Sequence, residues 1–130
     1  MTDSDLKRAV ECFVDAVDRG DAAALATTYS PDFLNIRVAD DGGLASLTGA
    51  EILSILKISG EGKHTLPIRE TVIHLAEIVG HSGYVLMTRI KDLGNGWEPM
   101  FHSLVWGLSG HGKWLLLREF VHQKAFPKLS

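Results

Sequence analysis

Residues 99–123 read PMFHSLVWGLSGHGKWLLLREFVHQ, two mainly apolar segments on either side of a Gly-His-Gly turn. In each segment apolar side chains occupy both alternating positions, which is typical of a strand that is covered on both faces. Gly110 and Gly112 favour a tight connection between the two segments. The stretch therefore predicts an antiparallel hairpin of strands 99–109 and 113–123.

Two further strands precede this hairpin and complete a four-strand meander. Segments 68–79 and 83–91 have strand-like composition and are separated by the turn residues 80–83. A Gly-Asn-Gly sequence at 94–96 supplies the next turn. Residues 61–67 are polar and contain glycine and proline, so they are predicted to form a loop.

The first part of the chain is mainly helical. Residues 4–19 carry apolar side chains at helical spacing, with Ser4 as the expected N-cap and Gly20 after the last turn. Asp21 is placed to cap a second, shorter helix, which Pro31 ends. The apolar positions of the first helix are Leu6, Val10, Phe13, Val14 and Val17.

Two short strands and a third helix follow. Residues 33–39 alternate between polar and apolar side chains, which predicts a strand with one polar face. Residues 44–47 return beside it as a second strand. Thr48 and Glu51 match a capping box at the start of a third helix, which Gly60 ends.

The predicted order is α-α-β-β-α-β-β-β-β, within a single domain over residues 1–130. Helices that come early and lie on one side of a largely antiparallel sheet make an α+β fold. Such an arrangement leaves the second apolar face of the late strands in water. We therefore expect a homodimer in which a second copy covers the outer sheet face. The alternative is that the helices and the termini cover both faces.

The composition argues against several classes of function. A net charge of −3 and a pI near 6.0 argue against nucleic-acid binding, which needs clustered Lys and Arg. No apolar run approaches the roughly 20 residues that span a bilayer, and the acidic start lacks a secretory signal. A cytoplasmic protein without membrane contact is expected. The lone Cys12 and the scattered histidines predict no metal site and no cofactor.

Four segments carry a resemblance to a known superfamily: FVDAVDRGD at 13–21, YSPDF at 29–33, LTGAEI at 47–52 and GKWLL at 112–116. In this order they are similar to the nuclear transport factor 2-like superfamily, the fold of ketosteroid isomerase, scytalone dehydratase and the polyketide cyclases. The Gly-Lys-Trp of the last segment resembles the lumazine-binding-like branch. The resemblance implies a cone-shaped, strongly curved mixed or antiparallel sheet wrapped around three helices. It also implies a pocket at the wide end of the cone, and homodimers.

The resemblance also indicates where catalytic groups would stand. In ketosteroid isomerases the first helix carries a phenol, the first strand a carboxylate base and the penultimate strand a protonated carboxylic acid. The matching positions here are Phe13, Arg37 and Ser103. Phe13 has no proton to donate and a guanidinium stays protonated, so isomerisation of a steroid through an enolate is not expected.

The resemblance further implies a set of inward-facing pocket residues, and strand alternation supports two pairs of them. Asn35 shares a face with Arg37, and Met87 shares a face with Arg89. The full predicted set is Tyr29, Asn35, Arg37, Met87, Arg89, Ser103 and Glu119.

The turn of the last hairpin decides which residue of the penultimate strand faces Glu119. A three-residue turn at 110–112 places Ser103 opposite Glu119, and we expect this register because the flanking glycines suit a loop with a bulge. A two-residue turn at 111–112 instead places His102 and its neighbours on the same face beside Glu119.

These residues predict a small-molecule binding protein with no assigned reaction, in which Arg37 and Arg89 hold a polar or anionic ligand. One alternative is an enzyme of lyase, cyclase or hydrolase type that uses Glu119 or His102 as acid or base. Another is a dimeric association domain whose cone is filled by side chains. The alternative for Glu119 is a purely structural role, in which it forms an ion pair with an arginine.

Overall fold

The computed structural model describes residues 2–59, 68–92 and 96–122. Within these ranges the elements follow the predicted order. They are α1 (Asp3–Arg19), α2 (Ala22–Thr28), β1 (Tyr29–Val38), β2 (Leu44–Thr48), α3 (Gly49–Ser59), β3 (Ile68–Val79), β4 (Ser82–Asp92), β5 (Trp97–Leu108) and β6 (Trp114–His122). The loop predicted at 61–67 and most of the turn predicted at 94–96 lie outside the described residues.

The six strands form one mixed sheet in the order β2-β1-β6-β5-β4-β3. Every neighbouring pair is antiparallel except β1 and β6, which run parallel. The first strand therefore pairs with the last, which joins the β1–β2 hairpin to the meander of β3 to β6. The predicted α+β class and mixed sheet are confirmed. None of the helices within the described ranges is long and apolar enough to cross a membrane.

The helix starts are set by short polar side chains. Thr2, rather than the predicted Ser4, caps α1: its hydroxyl accepts from the Asp5 N–H at 3.3 Å, and the Asp5 carboxylate accepts from the Thr2 N–H at 2.9 Å. This reciprocal pair requires the spacing that Thr2 and Asp5 provide, so Ser4 falls inside the helix. At α3 the predicted capping box of Thr48 and Glu51 is confirmed, with bonds of 3.1 Å in both directions.

The start of β1 is earlier than predicted. The helix α2 ends at Thr28, and Tyr29 already belongs to the strand. Pro31 disfavours helical backbone at the residue before it, so the chain is extended ahead of the proline. Tyr29 therefore projects from a strand, and its ring stacks on Phe33 with a centroid distance of 4.1 Å.

The core lies between α1 and the inner face of the sheet. Phe13 is 3% exposed and meets Trp106 edge to face, with ring centroids 6.0 Å apart. Gly83 lets the helix approach the sheet, because a Cβ at this position would lie 2.8 Å from a methyl carbon of Leu6. These large side chains form the layer between the helix and the sheet.

The turn between β5 and β6 has the predicted length, but the register beyond it is not the expected one. Ser109 pairs with Lys113 across three turn residues, and Gly112 adopts a φ of +74° there. A bulge then occurs at Leu117, because Trp106 pairs with Leu116 whereas the preceding residue of β5 pairs with Arg118.

The bulge shifts the remainder of the hairpin by one residue. Leu104, not Ser103, lies opposite Glu119, and Ser103 lies opposite Phe120. The prediction that Ser103 opposes Glu119 is therefore wrong. The bulge exchanges the two faces of β6 beyond Leu117, so Glu119 joins His102 and Leu104 on the inner face, and Ser103 lies on the other face of β5.

The outer face of the sheet carries an apolar patch, defined here as Leu75, Tyr84 and Leu86. These side chains are 41%, 44% and 47% exposed. Leu75 lies opposite Leu86 in the register of β3 and β4, which places the two side chains side by side. The described helices leave this patch uncovered.

Candidate functional site

A cavity of about 190 Å³ lies between the helices and the inner face of the sheet. Its walls are mostly apolar, and its charged groups come from the strands. The lining residues are Phe13, Val17, Leu25, Tyr29, Asn35, Arg37, Leu47, Ile52, Ile55, Leu56, Met87, Arg89, Lys91, His102, Glu119 and Val121. The aromatic side chains of the described residues thus leave the interior open rather than filled.

All of the predicted pocket residues except Ser103 line this cavity. Ser103 lies on the opposite face of β5 from His102, and the bulge at Leu117 brings Glu119 to the face of His102. The sequence predicts His102 on the face of Glu119 only for a two-residue turn. A bulge that follows a correctly predicted turn leaves no clear signal in the sequence, because both faces of β5 and β6 are apolar.

His102, Glu119 and Asn35 form a buried hydrogen-bonded chain along one wall of the cavity. Nδ1 of His102 lies 3.0 Å from Oε2 of Glu119, and the amide nitrogen of Asn35 donates to Oε1 at 2.7 Å. All three side chains are at least nine-tenths buried. The predicted alternative of an arginine paired with Glu119 is wrong, because among the described residues its carboxylate bonds Asn35 and His102 and no arginine.

The protonation states of His102 and Glu119 follow from their burial and their hydrogen bonds. Burial alone would raise the pKa of Glu119, but the hydrogen bonds from His102 and Asn35 outweigh it and lower that pKa. Burial lowers the pKa of His102 more than Glu119 raises it. A neutral imidazole beside a carboxylate must donate from Nδ1, so Nε2 carries the lone pair. Nε2 is buried and has no partner among the described residues.

Arg89 is held by a different partner from the one expected. Its Nη2 lies 2.5 and 2.7 Å from the two carboxylate oxygens of Asp18 on α1, and its Nε donates to Thr71 at 3.1 Å. The Arg89 side chain is 3% exposed and that of Asp18 is 34% exposed. Asp18 therefore neutralises Arg89 at the cavity wall. The main role of Arg89 is therefore structural, as the partner of Asp18 in a partly buried ion pair.

Two cations of the cavity have no such partner. Arg37 is half-buried, and no carboxylate within the described ranges pairs with it. Lys91 is only 7% exposed, and in the same ranges no acceptor bonds its Nζ. The sequence reasoning missed Lys91, although the alternation that placed Met87 and Arg89 on one face places Lys91 there too.

The protonation of Lys91 is strongly perturbed. Burial lowers the pKa of its amine to about 8, and the nearby charges of Arg89 and Arg37 act in the same direction. The Glu119 charge opposes this change but does not cancel it. The cavity therefore carries an excess of positive charge in mainly apolar surroundings.

Tyr29 contributes a phenol to the same cavity. Burial and the charge of Glu119 both raise the pKa of Tyr29, so its hydroxyl stays protonated at all ordinary pH values. It is therefore a fixed hydrogen-bond donor, unlike Phe13 on the first helix, which offers only apolar surface.

No group of three or more His, Cys, Asp or Glu side chains in the described part of the chain could hold a metal ion. Nε2 of His74 lies 2.6 Å from the Thr88 hydroxyl on the exposed outer face of the sheet. His102, in contrast, is buried beside the cavity.

Solved structures of low sequence identity share this architecture. A nuclear transport factor 2-like protein of unknown function from Silicibacter pomeroyi has a TM-score of 0.71 at 18% identity, covering 93% of this chain and 98% of that chain. A nuclear transport factor 2-like protein from Cytophaga hutchinsonii has a TM-score of 0.72 at 13% identity, covering 95% and 99%. A ketosteroid isomerase-like protein from Erwinia carotovora atroseptica has a TM-score of 0.62 at 16% identity, covering 94% and 95%.

At these identities the similarity concerns the fold alone. No protein-family model matches the chain, and no curated protein matches it. The resemblance to the superfamily fold is confirmed by the solved structures, whereas the lumazine-binding-like branch stays a prediction.

Proposed function

We propose that this chain, which has the nuclear transport factor 2-like fold, binds a small polar or anionic organic molecule in the cavity of its cone. The observation that carries the proposal is the pair of cations, Arg37 and Lys91, that line an apolar cavity without a carboxylate partner among the described residues. A cytoplasmic location is part of the proposal.

The energetics favour an anion as the missing partner. Removing a charged group from water is costly unless another charge or several hydrogen bonds replace the water. Asp18 supplies that replacement for Arg89, but the described residues supply none for Arg37 or Lys91. A carboxylate oxygen in the cavity would bond a guanidinium in its preferred geometry. Tyr29 would add a hydrogen bond from its hydroxyl.

The size and lining of the cavity restrict the ligand further. A volume of about 190 Å³ is smaller than the roughly 300 Å³ at which pockets for drug-sized molecules begin. The α3 side chains Ile52, Ile55 and Leu56 face the charged wall. We therefore expect a compact acid with an apolar body, which lies against α3 while its charged end points to the strands.

Thermal-shift measurements with matched acids and amides test the proposal. Acetate, propionate and benzoate should raise the Tm, whereas acetamide, propionamide and benzamide should not, because only the acids carry the charge. A ligand at about 100 times its Kd stabilises the folded state by about 2.7 kcal/mol, which is a shift of several degrees.

A pair of arginine variants makes the test specific. Arg37→Gln should lose the response to acids, and Arg8→Gln, which changes an exposed arginine of α1, should keep it. An equal response of the two variants would show that the acids act elsewhere on the protein. No response of the wild type to any acid would count against an anionic ligand.

A second candidate function is supported by the bond between His102 and Glu119. A carboxylate that fixes the tautomer of a histidine and leaves Nε2 free is an arrangement used in general base catalysis. In that case His102 would take the proton, Glu119 would position it, and Arg37 would stabilise negative charge on the substrate. The reaction would be of the lyase, cyclase or hydrolase type.

Deuterium exchange distinguishes the enzyme from the binding protein. Small oxo acids incubated with the protein in heavy water should exchange the hydrogen next to the carbonyl faster than in buffer, as measured by NMR. His102→Gln should abolish the acceleration, and His81→Gln, a change in the exposed β3–β4 turn, should not. Exchange at the buffer rate would leave binding as the function.

We also propose that a second copy of the chain covers the outer apolar patch. Leu75, Tyr84 and Leu86 form contiguous exposed apolar surface on a sheet, which favours a sheet-to-sheet contact. Light scattering after size exclusion should give a dimer for the wild type and a monomer for Leu86→Arg. Leu44→Arg, at an exposed position of β2, is the control and should remain dimeric. A monomeric wild type would refute the contact.

A further inference from the structure

We propose that Lys91 is a reactive amine that condenses with the carbonyl group of a small oxo acid bound in the cavity. This inference rests on the proposed function, because it uses the same cavity and the same anionic end of the ligand. It adds a covalent step that simple binding does not require.

The position of Lys91 supports this role. It lies on β4 with Met87 and Arg89 on the inner face, and it lines the cavity together with Arg37. Its cross-strand neighbour is Glu98, but no ion pair joins the two side chains. A buried amine with no carboxylate partner among the described residues is available to a ligand.

The charges around Lys91 keep part of the amine neutral. Arg89 of β4 and Arg37 of β1 disfavour the ammonium form, whereas Glu119 of β6 and Asp18 of α1 favour it. His102 of β5 faces the same cavity and is mainly neutral. Burial and the two arginines prevail, and the pKa of about 8 leaves roughly a tenth of the amine neutral at pH 7. That fraction is about 300 times larger than for an ordinary lysine.

The covalent step needs only the amine and the oxo acid, and it releases one water molecule. The neutral Nζ adds to the carbonyl carbon, a C–N bond forms, and the carbonyl electron pair moves to oxygen, which takes a proton. The resulting carbinolamine loses water, and the two hydrogens of the amine leave with the former carbonyl oxygen as a C=N bond forms. Nothing is oxidised or reduced. Nε2 of His102 has the lone pair that could carry a proton between nitrogen and oxygen.

Reductive trapping with glyoxylate tests the inference on the unmodified protein. The protein is incubated with glyoxylate and cyanoborohydride at about pH 7, and the modified peptides are quantified by mass spectrometry over time. Lys91 should be modified at least about tenfold faster than the exposed Lys7 of α1, since its amine lines the cavity in which the oxo acid binds and a larger share of it is neutral than in an ordinary lysine. Equal rates at the two lysines, or slower modification of Lys91, would overturn the inference.

Two further measurements separate this inference from the proposed function. Propionate, which has no reactive carbonyl, should slow the modification of Lys91 and leave that of Lys7 unchanged. Lys91→Arg cannot form the imine, so it should lose the selective adduct, while the trapping of Lys7 continues at the wild-type rate. A propionate shift without selective trapping refutes the reactive amine alone. Absence of both refutes the anion site as well.

Discussion

Replacing Lys91 by methionine should make the protein more stable. Lys91 is 7% exposed, and its pKa falls from 10.5 to about 8, chiefly because of burial and then because of Arg89 and Arg37. At 1.36 kcal/mol per pKa unit, this change means that the charged form costs the folded state about 3 kcal/mol. Methionine has similar length and no charge, so Lys91→Met should raise the free energy of unfolding at pH 7 by about 2–3 kcal/mol.

The gain should depend on pH in a defined direction. Between about pH 8 and pH 10.5 the unfolded chain holds the lysine proton and the folded chain has released it, so the wild type becomes more stable as the pH rises. The methionine variant has no such proton. The difference between the two proteins should therefore be largest below pH 8 and should shrink towards pH 10.5.

Urea unfolding followed by circular dichroism, at about pH 7 and about pH 10, measures both quantities. Lys7→Met on the exposed side of α1 is the matched control, and its stability should change by less than about 0.5 kcal/mol at either pH. A loss of stability in Lys91→Met at pH 7, or a gain that is the same at both pH values, would refute the reasoning. A confirmed gain would show that the fold retains this lysine at the expense of stability, as is common for functional groups.

Three further predictions concern the surrounding structure. Asp18→Asn should lower the free energy of unfolding by about 1–3 kcal/mol in chemical denaturation, because it leaves Arg89 buried without its charge partner. An unchanged free energy of unfolding would mean that solvent screens the pair. Gly83→Ala should cost about 1–3 kcal/mol in the same assay, since the new Cβ would lie 2.8 Å from Leu6, and a neutral outcome would show that the helix can move away. Glu119→Gln should be less stable than the wild type near pH 7. Because the pKa of Glu119 is lowered, this difference in stability should decrease as the pH falls below the ordinary value of 4.5. A difference that does not depend on pH would contradict an ionised Glu119.

The fold could be predicted from the sequence because its elements are marked by local signals. The capping box at Thr48, the proline at 31 and the glycine-rich turn at 110–112 each act within a few residues, and periodicity identifies what lies between them. The start of α1 was misassigned by two residues, because several short polar side chains there are able to cap a helix.

The site was predicted less completely, because it depends on contacts between distant elements. The bulge at Leu117 lies in a strand without glycine, and it alone places Glu119 beside His102 rather than beside Ser103. The pair of Asp18 and Arg89 joins residues that are 71 positions apart. Only Lys91 could have been found by alternation alone.

The central claim is that Arg37 and Lys91 meet the charged end of a small acid inside the cone. A crystal structure of the protein grown with the acid that raises its Tm most would test this directly. We predict carboxylate oxygens within about 3 Å of the Arg37 guanidinium or the Lys91 amine, with the apolar part of the acid against α3. An acid bound only outside the cone, with Arg37 turned into solvent, would contradict the claim.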